Sequence, residues 1–135
     1  MASSRGYEDL VAWQKAIDLA EAVYRLVVLL PKDERFEMSS QLRRGVVSIG
    51  ANIAEGEGRN SLSEFLHFLG ISLGSLAEVD TLLVIGVRVG LLPAAEVNRV
   101  RDRVTEERRI LIGLSESLRR RLDDRRNGSK PRDSA

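Results

Sequence analysis

Apolar residues return every three or four positions along nearly the whole chain, and nowhere do they alternate with the period of two that a strand needs. The sequence therefore predicts helices and no sheet. Leu10, Trp13, Ile17, Ala20, Tyr24 and Val27 keep a 3-4-3-4-3 spacing, which predicts one packed face of a helix over about 8–30, ended by Pro31. A polar connection then leads to a second helix over about 38–57, with Ser39 or Ser40 as its expected cap and Gly56 and Gly58 loosening its end. Ser61-Leu-Ser-Glu64 reads as a capping box for a third helix over about 62–89, stopped by Gly90. Pro93 suits the first turn of a fourth helix over about 94–126, where Val97, Val100, Val104, Leu111, Leu114, Leu118 and Leu122 keep heptad-like spacing. Four long helices with short links predict an all-α, antiparallel up-down four-helix bundle over 1–126, with a disordered basic tail over 127–135.

The third helix carries more apolar surface than one core needs. Leu62, Phe65, Leu69, Leu73, Leu76 and Leu83 suit the core, whereas Ile71, Leu82, Ile85 and Val89 fall on the opposite side. A helix apolar on two sides wants two partners, so the chain is expected to form a homo-oligomer. Ser75 and Glu78 share that second face and are expected to pin the interface. Gly70 and Gly74 nearby are expected to let another helix approach.

In the second helix, Ser48, Asn52, Glu55 and Arg59 lie within a sector of roughly 60° beside the stripe of Leu42, Val46, Ile49 and Ile53. A polar line next to a core stripe must find partners as it is covered. The expected arrangement is a Glu55–Arg59 ion pair at i, i+4, with Asn52 joined to Ser75 or Glu78. A ligand pocket between helices is the other reading.

Composition narrows the function classes. The chain has 135 residues and no cysteine, which suits one domain in a reducing compartment and excludes disulfides and thiolate chemistry. Its opening residues hold no apolar signal core, and its longest charge-free runs are well under the ~20 residues of a membrane span. A cytoplasmic protein with no membrane association is expected. The single histidine, His67, sits in a Glu64-x-x-His67 pair. Di-metal bundles need that pair on two helices, so no metal, no cofactor and no catalytic residue is expected. Glu55 and Glu57 point about 200° apart on a helix and cannot share a substrate.

Residues 7–120 resemble the bacterial four-helix-bundle family first noticed in intervening sequences inside 23S ribosomal RNA genes. The resemblance is carried by Ser48-Ile-Gly-Ala-Asn-Ile-Ala-Glu-Gly56 with Arg59, by Glu64-Phe65 and Phe68-Leu69, and by Ser75-Leu-Ala-Glu78. The opening Tyr7-Glu-Asp-Leu-Val-Ala-Trp13 and the segment Gln41-Leu-Arg43-Arg44 resemble it as well. Gly50 stands where that family often has proline, which leaves the helix straighter. The resemblance implies a closed homopentameric ring and no enzymatic activity. A more distant similarity is to the accessory variability protein of diversity-generating retroelements, a basic pentamer, and it implies a reverse transcriptase and its RNA as partners.

Residues 97–135 carry 12 of the 21 basic residues and 7 of the 20 acidic ones, and only Lys15, Lys32 and Lys130 are lysines. Arginine forms planar, two-pronged contacts with phosphate that lysine cannot. Arg101, Arg108, Arg119 and Arg126 fall within about 20° of one another, a stripe about 37 Å long. It could track a nucleic-acid backbone. Asp102, Glu106, Glu116 and Asp124 interleave with it, as on an ordinary solvated helix. No aromatic residue follows Phe68, which disfavours base stacking from this region. The expectation is a scaffold for structured RNA or DNA, or for a nucleic-acid enzyme. The alternative is a structural scaffold with protein partners only.

Overall fold

A computed structural model describes residues 6–34 and 37–128. Four α-helices follow one another: α1 (Val11–Val27), α2 (Glu37–Glu57), α3 (Leu62–Arg88) and α4 (Ala94–Gly128). They pack in cyclic order, α1 on α2, α2 on α3, α3 on α4 and α4 on α1. Pairs such as Gly45 with Val79 and Gly56 with Phe68 run in opposite chain directions, as an up-down bundle requires. No strand occurs among the described residues.

The boundaries differ from expectation mainly in α1. Residues Gly6–Asp9 form a separate 3-10 turn, with the Tyr7 ring tilted against Trp13 at 5.3 Å. The helix then stops at Val27, four residues before Pro31. Ser39 and Ser40 lie inside α2 and do not cap it, because the helix already begins at Glu37. At α3 the Glu64 amide donates to Ser61 Oγ at 3.2 Å. Gly90 closes that helix at φ +79, where a side chain would be strained. α4 continues through Gly128, two residues past its expected end. The rest of the expected tail, 129–135, lies outside the described residues.

The most deeply buried side of α1 is turned by one residue from the expected stripe, which it partly overlaps. Ala12, Ala16, Leu19, Val23, Leu26 and Leu30 are buried, as is Val27 of the expected stripe, and Leu10, Trp13 and Ala20 pack partly buried against them, while Ile17 and Tyr24 each remain 44% exposed. Both stripes are apolar at helical spacing, and close packing chose the one with small residues. A Cβ on Gly50 would sit 3.5 Å from the Ala16 Cβ, so α1 and α2 are nearly in backbone contact there. On α2 the expected stripe of Leu42, Val46, Ile49 and Ile53 is fully buried.

α2 and α3 form the tightest pair. A Cβ at Gly45 would lie 2.8 Å from Val79 Cγ2, and one at Gly56 would lie 2.7 Å from the Phe68 Cβ. Between these points Ser72, completely buried, donates to the Ile49 carbonyl oxygen at 2.8 Å. Gly70 and Gly74 are exposed with open space where a side chain would stand. By length and mean hydropathy, 1.7 over its most apolar stretch, α3 could cross a bilayer. Within the bundle it buries Leu69, Leu76, Val79 and Leu83, with Glu78 and Asp80 in its middle.

Candidate interaction surfaces

The polar line of α2 divides into two groups. Asn52 Nδ2 donates to the Ser48 carbonyl at 2.8 Å and to Ser48 Oγ at 2.9 Å, and Ser48 Oγ lies 2.8 Å from Ser75 Oγ. These three residues bridge α2 to α3 inside one chain, so Ser75 is already engaged within the protomer. One turn further on, Arg59 pairs with Glu55 at 2.7 Å and lies over the Phe68 ring at 5.1 Å. Glu55 and Arg59 are exposed, so this pair contributes at most about 1 kcal/mol. Glu78 does not join either group. Its side chain is exposed, and no hydrogen bond or ion pair holds it within the chain.

The apolar second side of α3 is open in the single chain. Ile71, Ile85 and Val89 are 39%, 43% and 60% exposed, and Leu82 is half-buried. Sequence reading missed its counterpart across α2. There Ile17, Tyr24, Val28 and Val47 are exposed along the seam of α1 and α2. An open groove of about 510 Å³ against this seam is lined by Tyr24, Ser40, Arg43, Arg44, Val47 and Ser48. Its lining holds two guanidinium groups and no carboxylate.

α4 presents a different surface. Beyond Leu118 only Leu122 is partly covered, and Arg119, Arg120, Arg121, Arg125 and Arg126 stand in solvent with Asp123 and Asp124. Of the four stripe residues, Arg101 is held by Asp80 through two bonds, at 2.7 and 3.3 Å. That carboxylate raises the Arg101 pKa further. Arg108 borders a groove with Leu73, Ala77, Asp80 and Ile112, and Arg119 is exposed. Lys15 on α1 reaches Glu106 at 3.0 Å, and this bond and charge raise the lysine pKa.

One polar residue was not singled out by sequence reading at all. Glu107 fills the core position between Val104 and Leu111, with no exposure and no hydrogen-bond partner for either carboxylate oxygen. Burial first, and the charge of Glu106 second, push its pKa from 4.5 to about 8, with Lys15 opposing. The omission had a visible signal: the heptad spacing from Val104 to Leu111 leaves 107 as the inward position.

Among the described residues no three histidine, aspartate or glutamate side chains come together as a metal site. His67 is exposed and meets Phe68 edge-on at 5.5 Å.

The sequence profile of the family described as 23S rRNA-intervening sequence protein matches residues 8–113. Among solved structures, a protein of unknown function from the S23 ribosomal protein family of Bacteroides thetaiotaomicron is similar at 28% identity and a TM-score of 0.73. The similarity covers 78% of this chain and 96% of that one. No curated protein matches the sequence.

Proposed function

The chain belongs to the 23S rRNA-intervening sequence protein family, and on that footing we propose that it is a non-enzymatic, cytoplasmic scaffold. In this reading copies of the bundle assemble, as a homopentamer by family resemblance, and hold structured nucleic acid, RNA before DNA. A nucleic-acid enzyme such as a reverse transcriptase is the protein partner that fits the same role.

The observation that carries this reading is the division of the surface. Among the described residues, six of the ten exposed large apolar side chains lie on α1, α2 and α3 and three more, Val28, Leu29 and Val89, follow the ends of α1 and α3, whereas α4 exposes one, Ile112, and carries the arginine stripe. Apolar sides favour burial against other copies. The charged helix is then left facing outward, where guanidinium groups repeated around an assembly would multiply weak phosphate contacts. Arg108, Arg119 and Arg126 would make those contacts. Arg101 would join them only by sharing its guanidinium with Asp80.

Filter binding of a structured RNA at two salt concentrations tests the reading. Each neutralised phosphate should contribute about −0.9 to the slope of log affinity against log salt on a B-form duplex, and somewhat less on other geometries. Changing Arg101, Arg108, Arg119 and Arg126 together to Gln should flatten the slope while the helical circular dichroism stays unchanged. Equal affinities and slopes for the two proteins would remove the stripe from the account. The second reading, a scaffold with protein partners only, is favoured by the Arg101–Asp80 pair, which gives one stripe residue an internal task.

A further inference from the structure

The seams of the bundle are not closed alike. Where α2 meets α3, a methyl on Gly45 or Gly56 would lie 2.8 or 2.7 Å from its neighbour. α3 and α4 instead leave a groove of about 450 Å³ between them. Its floor is Leu73, Leu76, Val104 and Ile112, and the small residues Ala77, Thr81 and Thr105 leave it uncovered. Both threonine hydroxyls donate to carbonyls of their own helices, at Ala77 and Arg101, so they add no free donor to the groove. Among the described residues Ile112 is the one large apolar side chain that α4 exposes, and it stands on this floor.

The groove is charged only toward its ends. At one end Asp80 accepts from Arg101 at 2.7 and 3.3 Å. Those bonds leave the carboxylate room for a further donor, since its two oxygens offer about four lone-pair sites in all. Toward the other end Arg108 has no hydrogen bond or ion pair within the chain. Position 108 follows Arg101 by about two turns, or about 10 Å along the axis, which is the reach of one nucleotide from its phosphate to the far edge of its base. A cation, an apolar slot and an acceptor in that order match a phosphate, the face of a base and an exocyclic amine. Arg101 and Arg108 also belong to the arginine stripe, so a backbone following the stripe passes the mouth of the groove.

We propose that the α3/α4 groove receives a single unpaired, amine-bearing base, cytosine, adenine or guanine, from an RNA held by the α4 arginines. The base lies between Leu73 and Ile112, its amine donates to Asp80, and its phosphate meets Arg108. This rests on the nucleic-acid reading given above and specifies what that surface selects. Fully paired RNA keeps its bases in the stack, whereas a bulge presents one that can be splayed out.

Three hairpins of one sequence test the selection by filter binding at low salt: fully paired, with one bulged cytosine, and with one bulged uracil. Wild-type protein should bind the cytosine bulge about tenfold more tightly than the paired stem, the low end of what stacking on an aromatic ring gives one base. The uracil bulge, nearly equal in size and without an amine, should bind less tightly than the cytosine one. Ala77→Leu fills the groove from an exposed position. It should bring the three hairpins to one affinity while the paired stem binds as it does to wild type. If that variant loses helical circular dichroism, Thr81→Leu takes its place with the same expectation. A cytosine bulge that binds no better than the paired stem, or a preference that survives the filled groove, overturns the proposal, leaves the groove to a protein or small-molecule occupant, and keeps the arginine stripe standing. Equal gains from the two bulges overturn it as well, because Asp80 then reads no amine. Protein that retains none of the hairpins at low salt overturns the nucleic-acid reading itself, and this selection with it.

Discussion

Glu107 should make the bundle less stable as pH rises through the neutral range, the reverse of the usual behaviour of a carboxylate. In the unfolded chain this group ionises near 4.5, whereas in the fold its pKa is pushed up to about 8. Between those values the native state holds a proton that the unfolded state has released, so stability falls with pH. The contribution is complete below 4.5, is lost through the interval, and is flat above about 8. The slope contributed by one such proton is about 1.4 kcal/mol per pH unit, or several kcal/mol across the interval. That is a large share of the 5–15 kcal/mol that holds a typical domain, on the order of half. The assay is urea unfolding followed by circular dichroism at a series of pH values from 5 to 9, on wild type, Glu107→Gln and Glu107→Leu. Gln keeps the shape and cannot ionise, so its profile should lack the wild-type decline. Leu removes a carboxylate whose oxygens have no partner, and it should be the more stable protein at pH 8 by about 2 kcal/mol or more. Parallel pH profiles for wild type and Glu107→Gln would refute the reasoning, because the decline would then belong to other groups.

Other outcomes follow from packing and hydrogen bonding. Gly45→Ala and Gly56→Ala should each lower the unfolding free energy in denaturant by about 1–3 kcal/mol, since the new methyl would meet Val79 or Phe68 under 3 Å away. Gly113→Ala, where the methyl meets nothing, should raise it by about 0.5–1 kcal/mol through helix propensity. Ser72→Ala should cost about 1 kcal/mol in the same assay, the net worth of its bond to the Ile49 carbonyl.

The sequence made the helices legible because their start and stop signals are local. Ser61, Gly90 and Pro93 act on neighbouring backbone, so α3 and α4 begin and α3 ends where those residues say. The packing face of α1 was not legible, because that helix has two apolar stripes one residue apart. The choice between them depends on Gly50 of α2 admitting Ala16 closely, a fact of tertiary packing. The same ambiguity hid a surface: Ile17 and Tyr24, read as core, are the exposed seam. Ser48 and Asn52 share one side of α2 and bond to each other, and Ser48 rather than Asn52 reaches Ser75. Glu78 was grouped with them because it shares a face of α3 with Ser75, but spacing along one helix cannot say which side of the bundle that face meets. Glu107 was overlooked for the opposite reason. Its charge points to solvent, whereas the spacing of Val104 and Leu111 turns position 107 inward.

In the proposed function the outward arginines of α4 hold nucleic acid. The most direct measurement is the nucleic acid recovered with the protein from its own cells after cross-linking, before and after a high-salt wash. Binding through these arginines should leave RNA that survives at low salt, is protected from nuclease and is lost from the arginine-to-Gln variant. Protein recovered free of nucleic acid at low salt would contradict it.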